Sequence, residues 1–381
     1  MPAHHVDDDA ASIASSSSAS SDATSARERP HSPTSLFEDS LFTLFSHNQP
    51  AHGDPGDTCR YTHAHLAPRY LSASRARPTT LRYKIAQNSG TNTKLFAHHQ
   101  WDAGLYLADL IAEQSFSSNS EGKQRERRAF VDVRGRDVVE LGAGTGLPGL
   151  VACAMGAQRT VITDYPDAHV MDNLERNLDL ALLPRSSSSS KRSERRPNPH
   201  YLEARKRVQV MGLGWGNADE EARVLAASAA DAGYDVVLAA DVLWVSSAHP
   251  LLIHSIRKLL KRDRNARCVL IAGFHTGRPA VRRFFVQLAQ PADSNDTSLD
   301  RERKAGIVPD WQDTEFGGIC ERNVDGSQRA WSGAPVPSKA DYDKGKLTSF
   351  ESEEGAMEEM GDISDRGSWV VVASLRWADL E

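Results

Sequence analysis

The sequence predicts an α/β protein built on a mostly parallel, doubly wound sheet. Three observations carry this. Short apolar runs with strand propensity fall at residues 138–141, 160–164, 208–211, 235–241 and 268–272. Helical, partly amphipathic segments alternate with most of them, as they must where helices cover both faces of a parallel sheet. The final run, 368–377, is a strong strand, and its position implies that it pairs back into the sheet.

Taken in order, residues 1–34 are rich in Ser, Ala, Asp and Pro and lack apolar periodicity, so they are expected to be a disordered tail. Residues 35–79 are expected to be an irregular N-terminal segment, with an apolar stretch at 36–45 that docks on the domain. Order is expected from residue 80 to 381. Residues 81–85 alternate as a half-buried strand, and 95–97 would form its hairpin partner across 88–90. A helix is predicted over 102–113 and a polar loop over 115–134. The strand at 138–141 is followed by a helix at 148–156, and the strand at 160–164 by a helix at 167–182. A strand at 208–211 precedes the one at 235–241. Helices at 249–261 and 279–289 flank the strand at 268–272. Two low-complexity insertions interrupt the pattern. One, at 185–200, holds five serines in a row followed by Lys191, Arg192, Arg195 and Arg196 and reads as a solvated loop. The other, about 290–367, is polar and ends in an acidic run at 351–365, with short strands expected at 315–322 and 328–331.

Composition narrows the function. The net charge of −6 offers no basic excess for nucleic acid. Cys59, Cys153, Cys268 and Cys320 are scattered, with no CxxC pair, and read as reduced thiols; no metal site is expected. The N-terminus lacks a signal-peptide pattern, and no run approaches the ~20 apolar residues of a membrane span. A soluble, cytoplasmic monomer is expected, and nuclear entry is compatible with the same features.

The informative stretch is D-V-V-E-L-G-A-G-T-G-L-P-G at residues 137–149. A strand, a glycine loop and a helix N-terminus together aim backbone N–H groups at a ligand. Two readings compete. Gly144, Gly146 and Gly149 fit the dinucleotide pattern G-x-G-x-x-G. Glu140 followed by Gly142, Gly144 and Gly146 fits an S-adenosylmethionine loop. Asp164, ending the second strand, would bind ribose hydroxyls in either. The charge on Glu140 would oppose a pyrophosphate but tolerate a sulfonium cation.

Longer strings decide more than the glycines do. They are Leu36-Phe37-Glu38, Trp101-Asp102-Ala103-Gly104, the glycine-loop string, Gly156-Ala157 with Thr163-Asp164-Tyr165-Pro166-Asp167, Trp215-Gly216-Asn217, Ala240-Asp241-Val242-Leu243-Trp244, and His275 with Arg278-Pro279. With them the chain resembles the seven-stranded, Rossmann-like class I methyltransferases. Within these it resembles the fungal nicotinamide N-methyltransferase-like group, which includes the elongation factor 1A N-terminal and lysine methyltransferases. The resemblance spans residues 36–289 and the last strand. It implies a sheet with an antiparallel C-terminal strand, S-adenosylmethionine as cofactor, and a protein substrate such as a translation elongation factor. It also implies residue roles. Trp101 would border the cofactor, and Glu140, Gly142, Gly144 and Gly146 would form its loop. Asp164 would hold the ribose and Trp215 would flank the adenine. Asp241 would touch the cofactor and, with Trp244, carry the catalytic, substrate-side D-x-x-aromatic motif. His275 reads as a loop histidine. The chain departs from the group at His99-Gln100, at the longer loop 273–279 and in its insertions, and these departures bear on the substrate. A small-molecule N-methyltransferase and an inactive methyltransferase-like binding protein are the alternatives, with a dinucleotide oxidoreductase more remote.

Overall fold

The computed structural model describes residues 52–66, 80–88, 96–117, 131–182, 205–310, 318–331 and 367–380. The expected tail at 1–34, the apolar stretch at 36–45, the basic loop at 185–200 and the acidic run at 351–365 lie outside the described residues, as do Leu95 and most of the expected loop at 115–134.

Strand β3 (Asp137–Leu141) is central and wholly buried. It pairs in parallel with β4 (Arg159–Asp164) on one side and β6 (Val236–Ala240) on the other. Beyond β4 lies β5 (Val208–Gly212), and beyond β6 lies β7 (Arg267–Gly273), both parallel. The last strand, β11 (Trp369–Trp377), runs antiparallel to β7. It also pairs antiparallel with β9 (Ile319–Asn323), which therefore points the same way as the central strands. These seven strands make the expected sheet. Two more, β8 (Ile307–Pro309) on β11 and β10 (Gln328–Ala330) on β9, bring the described sheet to nine. The second insertion thus contributes strands β8, β9 and β10. The strands expected at 315–322 and 328–331 correspond to β9 and β10; β8 has only three residues and was not anticipated.

Alternation along each strand sends neighbours to opposite faces. Val138 joins one apolar cluster and Val139 the other. The first cluster is covered by α1 (Asp102–Ser117), α2 (Leu147–Met155) and α3 (Ala168–Leu182). The second is covered by α4 (Ala218–Ala226), α5 (His249–Leu259) and α6 (Arg278–Ala289). Helix α4 was not expected; Asn217 caps it by accepting from the Glu220 N–H.

The N-terminal region differs from expectation. Residues 58–62 were placed in an irregular segment, but β1 (Thr58–Thr62) pairs antiparallel with β2 (Thr80–Lys84). The expected partner at 95–97 is not a strand where it is described: Phe96 and Ala97 lie in a turn, and Phe96 has φ 52°. A left-handed residue cannot continue a pleated strand. Strand β2 is anchored to α3, where Asn177 accepts from the Lys84 N–H and both Asn173 and Asn177 donate to its carbonyl.

The chain runs outward from β3 through β4 to β5, then returns to β6 and runs the other way. The C-terminal ends of β3 and β6 therefore form a topological switch point, where open α/β sheets bind ligands.

Candidate functional site

The glycine loop turns at the end of β3. Gly142, Gly144 and Gly146 all have positive φ, at 61°, 56° and 75°. At Gly142 the requirement is double, because a Cβ would also sit 2.9 Å from the Val242 side chain and 3.2 Å from the Trp215 ring. At Gly144 a Cβ would meet nothing within 4 Å, so the loop presents bare backbone to open space there.

The loop is braced from three sides. The Gly144 N–H donates to Asp164 Oδ2 at 2.7 Å, while the Tyr165 N–H donates to Oδ1 at 2.6 Å. Asp164 is buried, and burial raises its pKa against the pull of these two amides. Thr145 Oγ1 donates to Gln100 Oε1 at 2.7 Å, and Asn177 donates to the Thr145 carbonyl at 2.8 Å. Gln100 thus ties the segment leading into Trp101 to the loop itself.

Glu140 behaves differently from the sequence reading. Its side chain lies beneath the loop, 1% exposed, and accepts from the Gly149 N–H at 2.8 Å. Burial, helped by the nearby Asp164 charge, pushes its carboxyl up to about 8, with the Gly149 amide acting the other way. It is therefore largely neutral at pH 7, and an argument from its charge does not hold. Its effect is on the helix end: a pyrophosphate at the start of α2 would find the Gly149 donor already used.

One strand away, Asp241 directly follows β6 and has φ 56° although it is not glycine. Such a conformation costs on the order of 1–3 kcal/mol and persists only where its surroundings fix it. Here the Asp241 N–H donates to the Ile271 carbonyl at 2.7 Å, and the Gly273 N–H donates to Oδ1 at 2.9 Å. His275 Nε2 bonds Oδ2 at 2.9 Å. The imidazole side chain is only 4% exposed. Burial alone would depress its pKa, but the Asp241 carboxylate, with Asp102 behind it, holds it above the ordinary value. His275 is thus the partner of Asp241, a role that the loop reading missed.

Asp241 and His275 share a small recess with Phe96, Trp101 and Trp244. Phe96 meets Trp244 edge to face at 4.8 Å between centroids, and Trp101 meets His275 at 5.3 Å. The structure thus brings Trp101, Asp241 and Trp244 together on one side of the switch point. Glu140, Gly142, Gly144, Gly146, Asp164 and Trp215 gather on the other. Sequence reasoning missed Gln100, Thr145, Asn177 and Phe96. Only the hydrogen-bonding pattern reveals the first three, and positive φ at a bulky aromatic marks the fourth.

The residues fit S-adenosylmethionine. A carboxylate at the β4 end suits ribose hydroxyls, the bare face at Gly144 admits close approach, and the Trp215 ring against Gly142 offers a surface for a purine.

Residues 81–194 match the model of a family described as lysine methyltransferase. A protein N-terminal and lysine N-methyltransferase of Emericella nidulans is 28% identical over 204 residues, covering 51% of this chain and 66% of that protein. The one from Yarrowia lipolytica is 34% identical over 166 residues, covering 44% and 53%. The one from Schizosaccharomyces pombe is 28% identical over 199 residues, covering 51% and 64%. The matched part thus spans between about half and two thirds of these relatives' length. With the glycine loop, Asp164 and the sheet order in place, residues 81–194 resemble the lysine methyltransferase family, whose model they match.

Proposed function

We propose that the chain is an S-adenosylmethionine-dependent N-methyltransferase that modifies a protein amine, either a lysine side chain or an N-terminal amine. The observation that carries this reading is the meeting of two devices at the switch point. One is the braced glycine loop after β3; the other is the clamped Asp241 after β6. The names borne by the fungal relatives support the same reading. A translation elongation factor is the substrate favoured by the family resemblance, with the enzyme acting as a cytoplasmic monomer. The net charge of −6 supports a protein substrate over nucleic acid.

S-adenosylmethionine, when bound, supplies a methyl group already activated by its sulfonium. The chain's own work is to place a neutral amine in line with it, which can be worth an effective molarity on the order of 10⁵–10⁸ M. The substrate arrives as an ammonium and loses one proton to water at the open side of the recess. S-adenosylmethionine held by the glycine loop and Asp164 would supply the methyl to the lone pair so freed, with the thioether as its leaving group. Asp241 accepts a hydrogen bond from the amine and fixes its direction. Trp244 walls the path and steadies the cation before deprotonation, an effect of roughly 0.5–2 kcal/mol.

Calorimetry tests the cofactor half. Wild-type protein should bind S-adenosylmethionine, and Asp164→Asn should weaken it by roughly 10- to 100-fold, the span expected for hydrogen bonds to a charged group. No binding, or equal binding by both proteins, would overturn the assignment. A small-molecule amine is the second reading, favoured by the small recess that Phe96, Trp101, Asp241, Trp244 and His275 line among the described residues.

A further inference from the structure

Gln100 stands directly before Trp101 and is only 3% exposed. An apolar side chain would fill the same space with no polar group to desolvate, so packing alone does not account for an amide there. Both ends of the amide are bonded. Its nitrogen donates to the Trp101 carbonyl at 3.0 Å, and its oxygen accepts from Thr145 Oγ1 at 2.7 Å. Only one orientation allows this: a backbone carbonyl cannot donate, so the NH2 end must face Trp101 and leave the oxygen to the Thr145 hydroxyl.

The two groups joined in this way belong to different parts of the site. Thr145 sits between Gly144 and Gly146, and Asn177 holds its carbonyl at 2.8 Å. The Trp101 carbonyl also accepts from the Gly104 N–H at 3.1 Å and so opens helix α1. The Trp101 ring lies against His275 at 5.3 Å between centroids, and His275 bonds Asp241. Gly104 makes room for the amide, since a Cβ there would lie 2.8 Å from Gln100 Nε2 and push it from its seat.

We propose that Gln100 is a positioning residue, a strut that fixes Trp101, and through it the His275–Asp241 pair, in register with the glycine loop. The proposal rests on the methyltransferase reading and adds to it a physical link between the cofactor loop and the transfer side of the switch point. Gln100 acts through Trp101 and not on the reacting atoms. Its loss therefore loosens the alignment for transfer more than it weakens the hold on the cofactor.

The test breaks the strut from each end in the full chain. Gln100→Met keeps the side chain's length and removes both hydrogen bonds. Thr145→Val removes the hydroxyl at constant shape, and Thr145→Ser keeps it. Tritiated S-adenosylmethionine is titrated against a fixed extract from cells lacking the chain, and calorimetry gives the cofactor affinity of each protein. Gln100→Met and Thr145→Val should lower the maximal labelling rate by roughly 10- to 100-fold, the cost of a misplacement of about 1 Å. Cofactor affinity should change by less than about tenfold, as for one neutral hydrogen bond. Thr145→Ser should restore the rate, and the double variant Gln100→Met/Thr145→Val should be no worse than either single one. Acrylamide quenching of the Trp101 emission, assigned by difference from Trp101→Phe, should rise in Gln100→Met and Thr145→Val and stay low in Thr145→Ser. Unchanged rates and quenching, a loss of cofactor affinity as large as the loss of rate, or additive effects in the double variant would overturn the proposal. Absence of cofactor binding or of label in the wild type sinks the enzyme reading instead, and the quenching series still decides whether the strut exists.

Discussion

Glu140→Gln offers a sharp test of how the glycine loop is built. In the folded chain burial pushes the Glu140 carboxyl up to about 8, from an ordinary value of 4.5. Between those values the folded state holds a proton that the unfolded state has released, so stability falls as pH rises. The contribution is fully present below about pH 4.5 and is lost as pH passes through about 8. Between pH 6 and 8 a group titrating at 8 loses about 1.7 units of the full slope, or roughly 2 kcal/mol. Gln is isosteric with the neutral acid and can still accept from the Gly149 N–H. Urea unfolding of both proteins at pH 6, 7 and 8 isolates this one group, because every other titration is shared. The variant should match the wild type only near pH 4.5, and between pH 6 and pH 8 its advantage should widen by roughly 2 kcal/mol. Parallel pH curves would show that Glu140 is ionised in the folded chain and that the buried, neutral acid is wrong.

Two further substitutions probe the same architecture. At Gly149 a Cβ would lie 2.6 Å from Glu140 Oε2 and 2.7 Å from Ile162 Cγ1. Gly149→Ala should therefore destabilise by about 1–3 kcal/mol through overpacking, read as a lowered melting temperature; an unchanged melt would mean that the loop has room to spare. His275→Gln tests the Asp241 partnership through the pH dependence of methyl transfer. Protonated His275 pairs with Asp241 and withholds its charge from the amine, and only Asp102 adds a further raising influence. Wild-type turnover should drop as pH falls through the raised ionisation of His275. That limb should be missing in the variant, and superimposable profiles would reduce His275 to a packing role.

Much of the fold was legible because its signals are local. The strands ending at Glu140-Leu141, Asp164 and Asp241 are apolar runs closed by an acid or a glycine turn, and the helices between them carry spaced apolar faces. The strand Thr58–Thr62 was not legible, since Thr-Cys-Arg-Tyr-Thr lacks an apolar run and owes its state to pairing with β2. Helix α4 did have a signal, Asn217 followed by three acidic residues within the first turn, but no apolar run to draw notice.

The site divides the same way. Gly142 and Asp164 could be placed from spacing, because the loop needs positive φ and the strand end fixes the acid. What Glu140 does could not, since its rotamer decides whether it faces the ligand or the Gly149 amide. Gln100 looked like a departure from the family pattern and is in fact the hydrogen-bond partner of Thr145, a contact 45 positions away along the chain. His275 became meaningful only when the loop after β7 brought it to Asp241. Long-range side-chain pairing is the information that local patterns lack.

The central claim is that a methyl group passes to a protein amine at Asp241. The most direct measurement incubates the purified chain with tritiated S-adenosylmethionine and an extract from cells lacking it, then resolves the products by size. The account predicts label in a discrete protein band, stable to base as an N-methyl group is, and lost with Asp241→Asn. Label confined to small molecules, or a protein band unaffected by that substitution, would contradict it.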